Sequence, residues 1–173
     1  MALTVEDGSI VAGADSYGDE AGFTAWAASL NLTLAGDASS QEADMRRAGQ
    51  YLDRQYQFIG VRVDADQEMQ WPRLIEDYVE GFSVPSNAIP SAIVDAQYEI
   101  AWLLNQGNDL FAYSSGAATR REKVKAGPVE VDTEYAASST TESRLLGVEG
   151  LLRPYLIGGL PGQNTAIVPL RRN

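Results

Sequence analysis

Apolar residues recur along the chain with a helical period in four places. Phe23, Trp26, Ala27 and Leu30 stand at offsets of 3, 4 and 7 from Phe23, which puts them on one face of a helix that Asp15 or Ser16 would cap. Met45, Ala48, Leu52 and Tyr56 follow at spacings of 3, 4 and 4, with Arg46, Arg47, Asp53 and Arg54 on the other side. Ser39 and Glu42 have capping-box spacing, so this second helix is expected over roughly Gln41 to Tyr56. Ile89, Ile93, Ala96, Ile100 and Leu103 make the third and strongest pattern, widened by Trp102 and Leu104. Pro90 suits its first turn, where a missing N–H costs nothing, and Gly107 suits a left-handed C-cap. Leu145, Val148, Leu152 and Leu156 predict a last helix, capped by Thr140 or Thr141 and stopped by Gly158 and Gly159.

Between these stripes the period changes. Met1 to Ala14 reads as a short strand or extended lead-in with a turn at Asp7-Gly8. Phe58 to Val63 alternates like a short strand, and Leu74 to Phe82 reads as a short amphipathic helix or an irregular loop. Val124 to Tyr135 holds Gly127-Pro128 between alternating segments and predicts a β-hairpin. The expected fold is mainly α: a small bundle of about four helices with a short β-hairpin and extended N- and C-terminal segments. Residues 1–156 would form the helical domain, with the hairpin inserted near 124–135, and 157–173 an extended tail.

Composition narrows the chemistry. With 173 residues and 45% apolar content, the chain can bury a core as one domain. It contains no cysteine and no histidine, which removes thiolate chemistry, the usual general base and the commonest transition-metal ligands. Asp64, Asp66 and Glu68 superficially resemble a calcium loop, but glycine is missing at the sixth position and Ile75 stands where the twelfth-position glutamate belongs. Gly158-Gly159-Leu160-Pro161-Gly162 follows a helix and is not succeeded by Gly-Lys-Ser/Thr, so it is no phosphate loop. No catalytic residue, metal ligand or cofactor-binding residue is assigned, and the expectation is a protein that is not an enzyme and needs no cofactor. No stretch is apolar enough to span a bilayer, and Glu6 and Asp7 stand where a signal peptide would carry Lys or Arg, so a soluble protein without membrane contact is expected.

Charge adds a second pattern. The net charge is −11. Met1 to Met45 carries eight acids and no Lys or Arg, whereas no acid follows Glu149. The densest basic cluster is Arg120, Arg121, Lys123 and Lys125. Trp71-Pro72-Arg73 unites the two residue types most enriched at binding hot spots, so Trp71 and Arg73 are candidate interface residues. The plainer reading is that Trp71 plugs a gap between helices and Arg73 pairs with a nearby acid. Trp26, Tyr51 and Trp102 read as core rather than as a ligand platform.

The motifs also have an order: Asp15-Ser16-Tyr17, Arg46-Arg47-Ala48, Tyr51-Leu52-Asp53, Phe58 to Arg62, Trp71-Pro72-Arg73, Ile89-Pro90, Glu99-Ile100-Ala101, Arg121 to Val131, and Leu151 to Leu156. In this order, over roughly Asp15 to Leu156, the chain resembles a tailed-phage family labelled DnaT-like single-stranded-DNA-binding protein. In layout it also resembles phage head-to-tail adaptor (connector) proteins. The adaptor resemblance implies a structural virion protein, assembled in the host cytoplasm and located at the head–tail junction. It would form a ring of about twelve copies under the portal. Its partners would be the portal protein, neighbouring copies of itself and the next neck or tail component, while packaged double-stranded DNA passes through without specific binding. The tail residues Leu160, Ile167, Val168, Pro169, Leu170, Arg171 and Arg172 would then contact the portal or a neighbouring subunit. The DnaT-like resemblance implies single-strand binding in phage replication, with Arg120, Arg121, Lys123 and Lys125 nearest the DNA. Because the aromatics fall mostly on apolar helical faces and the cations are few, the sequence favours the adaptor expectation, in which an acidic channel wall repels phosphate.

Overall fold

The computed structural model describes residues 2–76, 78–111 and 140–158. Among them are four helices, α1 (Glu20–Ser29), α2 (Ala38–Gln55), α3 (Ser91–Asn105) and α4 (Thr140–Leu152), a short 3₁₀ turn (Arg153–Tyr155), and two two-residue strands, β1 (Val61–Arg62) and β2 (Arg73–Leu74). The fold is mainly α, as expected. α3 is its centre: α2 packs against it most extensively, α4 next, and α1 least. Enclosure from several sides explains why α3 buries Gln97, Tyr98 and Ala101 in addition to the predicted Ile93, Ala96, Ile100, Leu103 and Leu104.

The helix ends depart from the simplest sequence rules. Asp19, not Asp15 or Ser16, caps α1, accepting the Gly22 N–H at 2.7 Å. Asp15 is engaged at long range, accepting the Thr4 N–H at 2.9 Å and the Arg46 Nε at 2.6 Å. Asp37 caps α2 two residues before Ser39, accepting the Ser40 N–H at 2.9 Å. A carboxylate in the right place replaces the capping box, and Glu42 instead lies 3.9 Å from Arg46 one turn on. α3 ends as predicted, with Gly107 at φ 85° donating its N–H to the Leu104 carbonyl. α4 ends at Leu152 rather than at Gly158, because Pro154 has no N–H to continue an α-helical ladder. Leu156 is still buried, but from an extended segment: Ile59 donates to the Tyr155 carbonyl and Ile157 to the Gln57 carbonyl. Backbone pairing therefore continues to Ile157.

β1 and β2 pair antiparallel, with Val61 opposite Leu74 and Arg62 opposite Arg73. This hairpin lies on the Phe58–Val63 strand and just after Pro72. The hairpin predicted near 124–135 lies outside the described residues. Leu74 to Phe82 is no helix: β2 is followed by a tight turn in which Val79 and Phe82 exchange backbone hydrogen bonds. The N-terminal segment turns at Gly8 (φ 101°) and is held by Glu6, a buried carboxylate that accepts the N–H groups of Gly8, Ile10 and Val11 at 2.9, 3.0 and 2.9 Å.

Two buried polar groups bind these pieces together. The Gln97 amide, fully buried, accepts the Tyr17 N–H at 2.7 Å and donates to Ser16 Oγ and the Met45 carbonyl, both at 2.8 Å. Tyr17 in turn donates its hydroxyl to Asp53 at 2.5 Å, and the Gln70 N–H donates to both Tyr17 Oη and Asp53 at 3.1 Å. Burial raises the Asp53 carboxyl to about 6, against the opposing pull of the Tyr17 and Gln70 donors and of Arg73 and Arg62.

Two outcomes follow from these bonds. Replacement Gln97→Leu keeps the volume but strands the buried Tyr17 N–H, and should cost about 1–3 kcal/mol in urea unfolding. For Asp53, the folded state favours the protonated form. Its contribution to stability is fully present below about pH 4 and is lost as pH rises through about 6. Between those values the wild type should lose stability relative to Asp53→Asn, by at most about 1.4 kcal/mol per pH unit, with no further divergence above about pH 7. Urea midpoints of both proteins across pH 4 to 8 would measure that difference.

Candidate functional site

Trp71 and Arg73 turn out to be structural. Trp71 is 0% exposed, between Phe58 and Tyr155, with ring centroids at 5.7 and 5.6 Å and steep edge-on angles of 71° and 82°. It therefore plugs the gap between the hairpin base and the 3₁₀ turn and offers no surface to a partner. Arg73 is 7% exposed and does not pair with an acid. Its guanidinium donates to the carbonyls of Phe58, Ile59, Gly60 and Gln70 and to the Gln70 side chain, at 2.8 to 3.2 Å. Five donors in a planar fork can satisfy several loop carbonyls at once, and here they clamp the 58–60 loop onto β2. Burial lowers the basicity of Arg73, while Asp53 and Tyr17 act to raise it.

Most other arginines of the bundle are also engaged. Arg46 pairs with Asp15. Arg62 donates to the carbonyls of Gln67 and Ala65 at 3.0 and 3.3 Å. Arg144 contacts Glu99 at 2.5 Å and lies 4.0 Å above the Trp102 ring. Arg47 lies 3.5 Å from Asp109 and 5.5 Å from the Phe111 ring centroid, and Tyr51 meets the same ring edge-on at 5.7 Å. Arg54 and Arg153 are exposed. None of these forms a basic groove: they are dispersed and mostly matched by acids or carbonyls. Arg120, Arg121, Lys123 and Lys125, and the tail residues Leu160, Ile167 to Leu170, Arg171 and Arg172, lie outside the described residues.

Three surface features remain. An open cleft of about 450 Å³ is lined by Val5, Glu6, Tyr17, Asn87, Ile89 and Tyr98, among others. Its acids, Glu6, Asp7 and Asp19, make it hostile to phosphate, and the Glu6 carboxylate is already filled by three N–H donors. The Tyr98 ring beside it lies so close to Gly18 and Gly22 that a Cβ on either would fall 2.3–2.4 Å from the Tyr98 hydroxyl. Burial and the charges of Asp19 and Asp95 push the Tyr98 hydroxyl up to about 12. The second feature is Phe111, 39% exposed, standing with Arg47 where the described bundle gives way to residues 112–139. The third is the outward face of the hairpin, where Val61, Val63 and Leu74 are exposed, with Tyr78 and Phe82 beyond. The alternation at Phe58–Val63 foretold the strand but not which face would meet solvent. Among the described residues no cluster of acids is placed to hold a metal ion, and no helix is long and apolar enough to cross a membrane.

Neither a curated protein nor a solved structure matches the chain. A family model described as "Putative DnaT-like ssDNA binding protein" matches residues 1–173, further in both directions than the motif order alone suggested. That match supports the DnaT-like resemblance over the adaptor expectation, for which the comparisons provide nothing. The chain belongs to this DnaT-like family.

Proposed function

We propose that the protein binds single-stranded DNA without catalysing a reaction on it, and that residues 112–139 carry the contact. Membership of a family described as DnaT-like and ssDNA-binding supports this reading. The geometric observation behind it is the pair formed by Arg47 and the half-exposed Phe111 ring at the start of that segment. Single-strand binders combine an aromatic face for base stacking with cations that follow the backbone. Phe111 would be the stacking surface. Arg120, Arg121, Lys123 and Lys125 would supply the phosphate contacts, which the matched arginines of the bundle are poorly placed to make. The bundle would then serve as the rigid holder of that segment.

A second reading, a head-to-tail adaptor ring under a portal, draws on a different observation. The exposed apolar residues of the hairpin are flanked in sequence by the exposed acids Asp64, Asp66, Glu68, Glu76 and Glu80, a composition suited to protein and averse to phosphate. Under this reading the tail, Leu160 and Ile167 to Arg172, reaches the portal or a neighbour, and the acidity lines a channel that DNA crosses without sticking.

Fluorescence anisotropy with a labelled oligothymidylate separates the two. The first reading expects micromolar or tighter binding whose logarithm falls with log salt at a slope no steeper than about −3, the limit that four phosphate contacts on a single strand set. Neutralising Arg120, Arg121, Lys123 and Lys125 to Gln should flatten that slope, and Phe111→Ala should weaken binding at every salt concentration by about 1–3 kcal/mol. Absence of DNA binding, together with ring formation on a portal that is lost on deleting residues 160–173, would overturn the first reading and establish the second.

A further inference from the structure

Among the described residues, the hairpin carries an exposed apolar face. Val61 and Leu74 are cross-strand partners on the side opposite buried Arg73, and Val63, just past β1, is exposed as well. Val61 is 61% exposed and Leu74 48%, while Tyr78 and Phe82, in the turn that follows, are 74% and 76% exposed. Five large apolar side chains displayed within 22 residues are a surface that water disfavours. Apart from Arg62, the exposed charged groups that flank them in sequence are acids: Asp64, Asp66, Glu68, Glu76 and Glu80. Arg62, the exposed cation of the stretch, is turned onto the Ala65 and Gln67 carbonyls. An occupant of this face should therefore be apolar, basic and free of acids.

One segment of the chain has that composition. Residues 159–173 contain Leu160 and Ile167-Val168-Pro169-Leu170, followed by Arg171 and Arg172, and no acid. We propose that the hairpin face binds residues 160–172 of a second copy of the chain, with Ile167, Val168 and Leu170 against Val61, Val63 and Leu74, and Arg171 and Arg172 against the surrounding acids.

The path of the main chain favours a second copy over the same one. Antiparallel pairing takes the chain from Tyr155, beside Ile59, to Ile157, beside Gln57. Up to Ile157, where a turn begins, it thus travels away from β1. A face and a segment at different places on one chain make a head-to-tail contact, which closes a ring or extends a filament and is compatible with either reading of the function.

A mixing experiment with the whole chain tests the proposal. Sedimentation equilibrium of the wild type should reveal self-association that weakens as salt rises, since acid–base pairs at a surface are screened. Val61→Asp/Leu74→Asp alters exposed side chains and should be monomeric, and so should a chain lacking residues 160–173. Circular dichroism and thermal melting would verify that both fold. Mixed together, the two should form a one-to-one heterodimer, because one retains the tail and the other the face. A monomeric wild type at every concentration, or tail protection in hydrogen exchange without association, would mean that the tail folds back on its own chain. Association untouched by either change, or no heterodimer on mixing, would equally overturn the proposal.

Discussion

The side-chain amide of Gln97 is the joint on which the other contacts depend. A primary amide buried in an apolar core needs partners for its donors and acceptor, and Gln97 finds them in the N-terminal segment and in α2. By binding Ser16 and the Tyr17 backbone to α3 while touching the Met45 carbonyl of α2, it fixes where Tyr17 stands. Tyr17 then extends the network by one step, its hydroxyl meeting Asp53 of α2 and the backbone N–H groups of Gln70 and Trp71. Those bonds fix the loop that delivers Trp71 between Phe58 and Tyr155 and Arg73 under the 58–60 carbonyls. Even Gly49 belongs to this constraint, for a Cβ there would crowd the Asp15 carbonyl, Met69 and the Gln97 amide at 3.2–3.4 Å.

Such a chain of polar contacts has a consequence for the surface. Once Arg73 is drawn inward, the pleat leaves Leu74 no choice but to face out, and its cross-strand partner Val61 goes with it. The exposed apolar side of the hairpin is thus the price of anchoring its other side by a guanidinium. An alternating strand with both faces covered would need a further layer, and among the described residues none lies over it.

What could be read from the sequence divides along the same line. The apolar stripes of α2 and α3 were legible because a helical period is a local property, and Met45, Ala48, Leu52, Ile93, Ala96 and Ile100 are all fully buried. The C-cap at Gly107 was legible for the same reason. The cap of α1 was misplaced because Asp15 and Ser16, good caps in isolation, are recruited by Thr4, Arg46 and Gln97 from far along the chain, and that of α2 because the Asp37 carboxylate stands two residues ahead of Ser39. Gln97 itself passed unnoticed, since a glutamine within an apolar stripe resembles a boundary residue until its partners are known. Trp71 and Arg73 looked like an interface because burial, not residue type, separates a hot spot from a core plug.

Charge carries this separation into function. The bundle matches most of its arginines internally, against carboxylates, carbonyls or rings. Arg120, Arg121, Lys123, Lys125, Arg171 and Arg172 belong instead to the two segments outside it. With a net charge of −11, the field of the molecule repels a polyanion at long range. A DNA strand would therefore gain little from diffusing onto the bundle and would have to engage 120–125 at close quarters, where a Debye length of about 10 Å at 0.1 M salt hides the distant acids. Raising the salt screens repulsion from the bundle as well as attraction to the segment. The two effects oppose each other, so the salt slope for DNA should be shallower than a count of contacting cations alone implies. Docking of an apolar, basic tail on the acidic hairpin has no such opposition, because its attraction acts in the same direction as the field of the whole molecule.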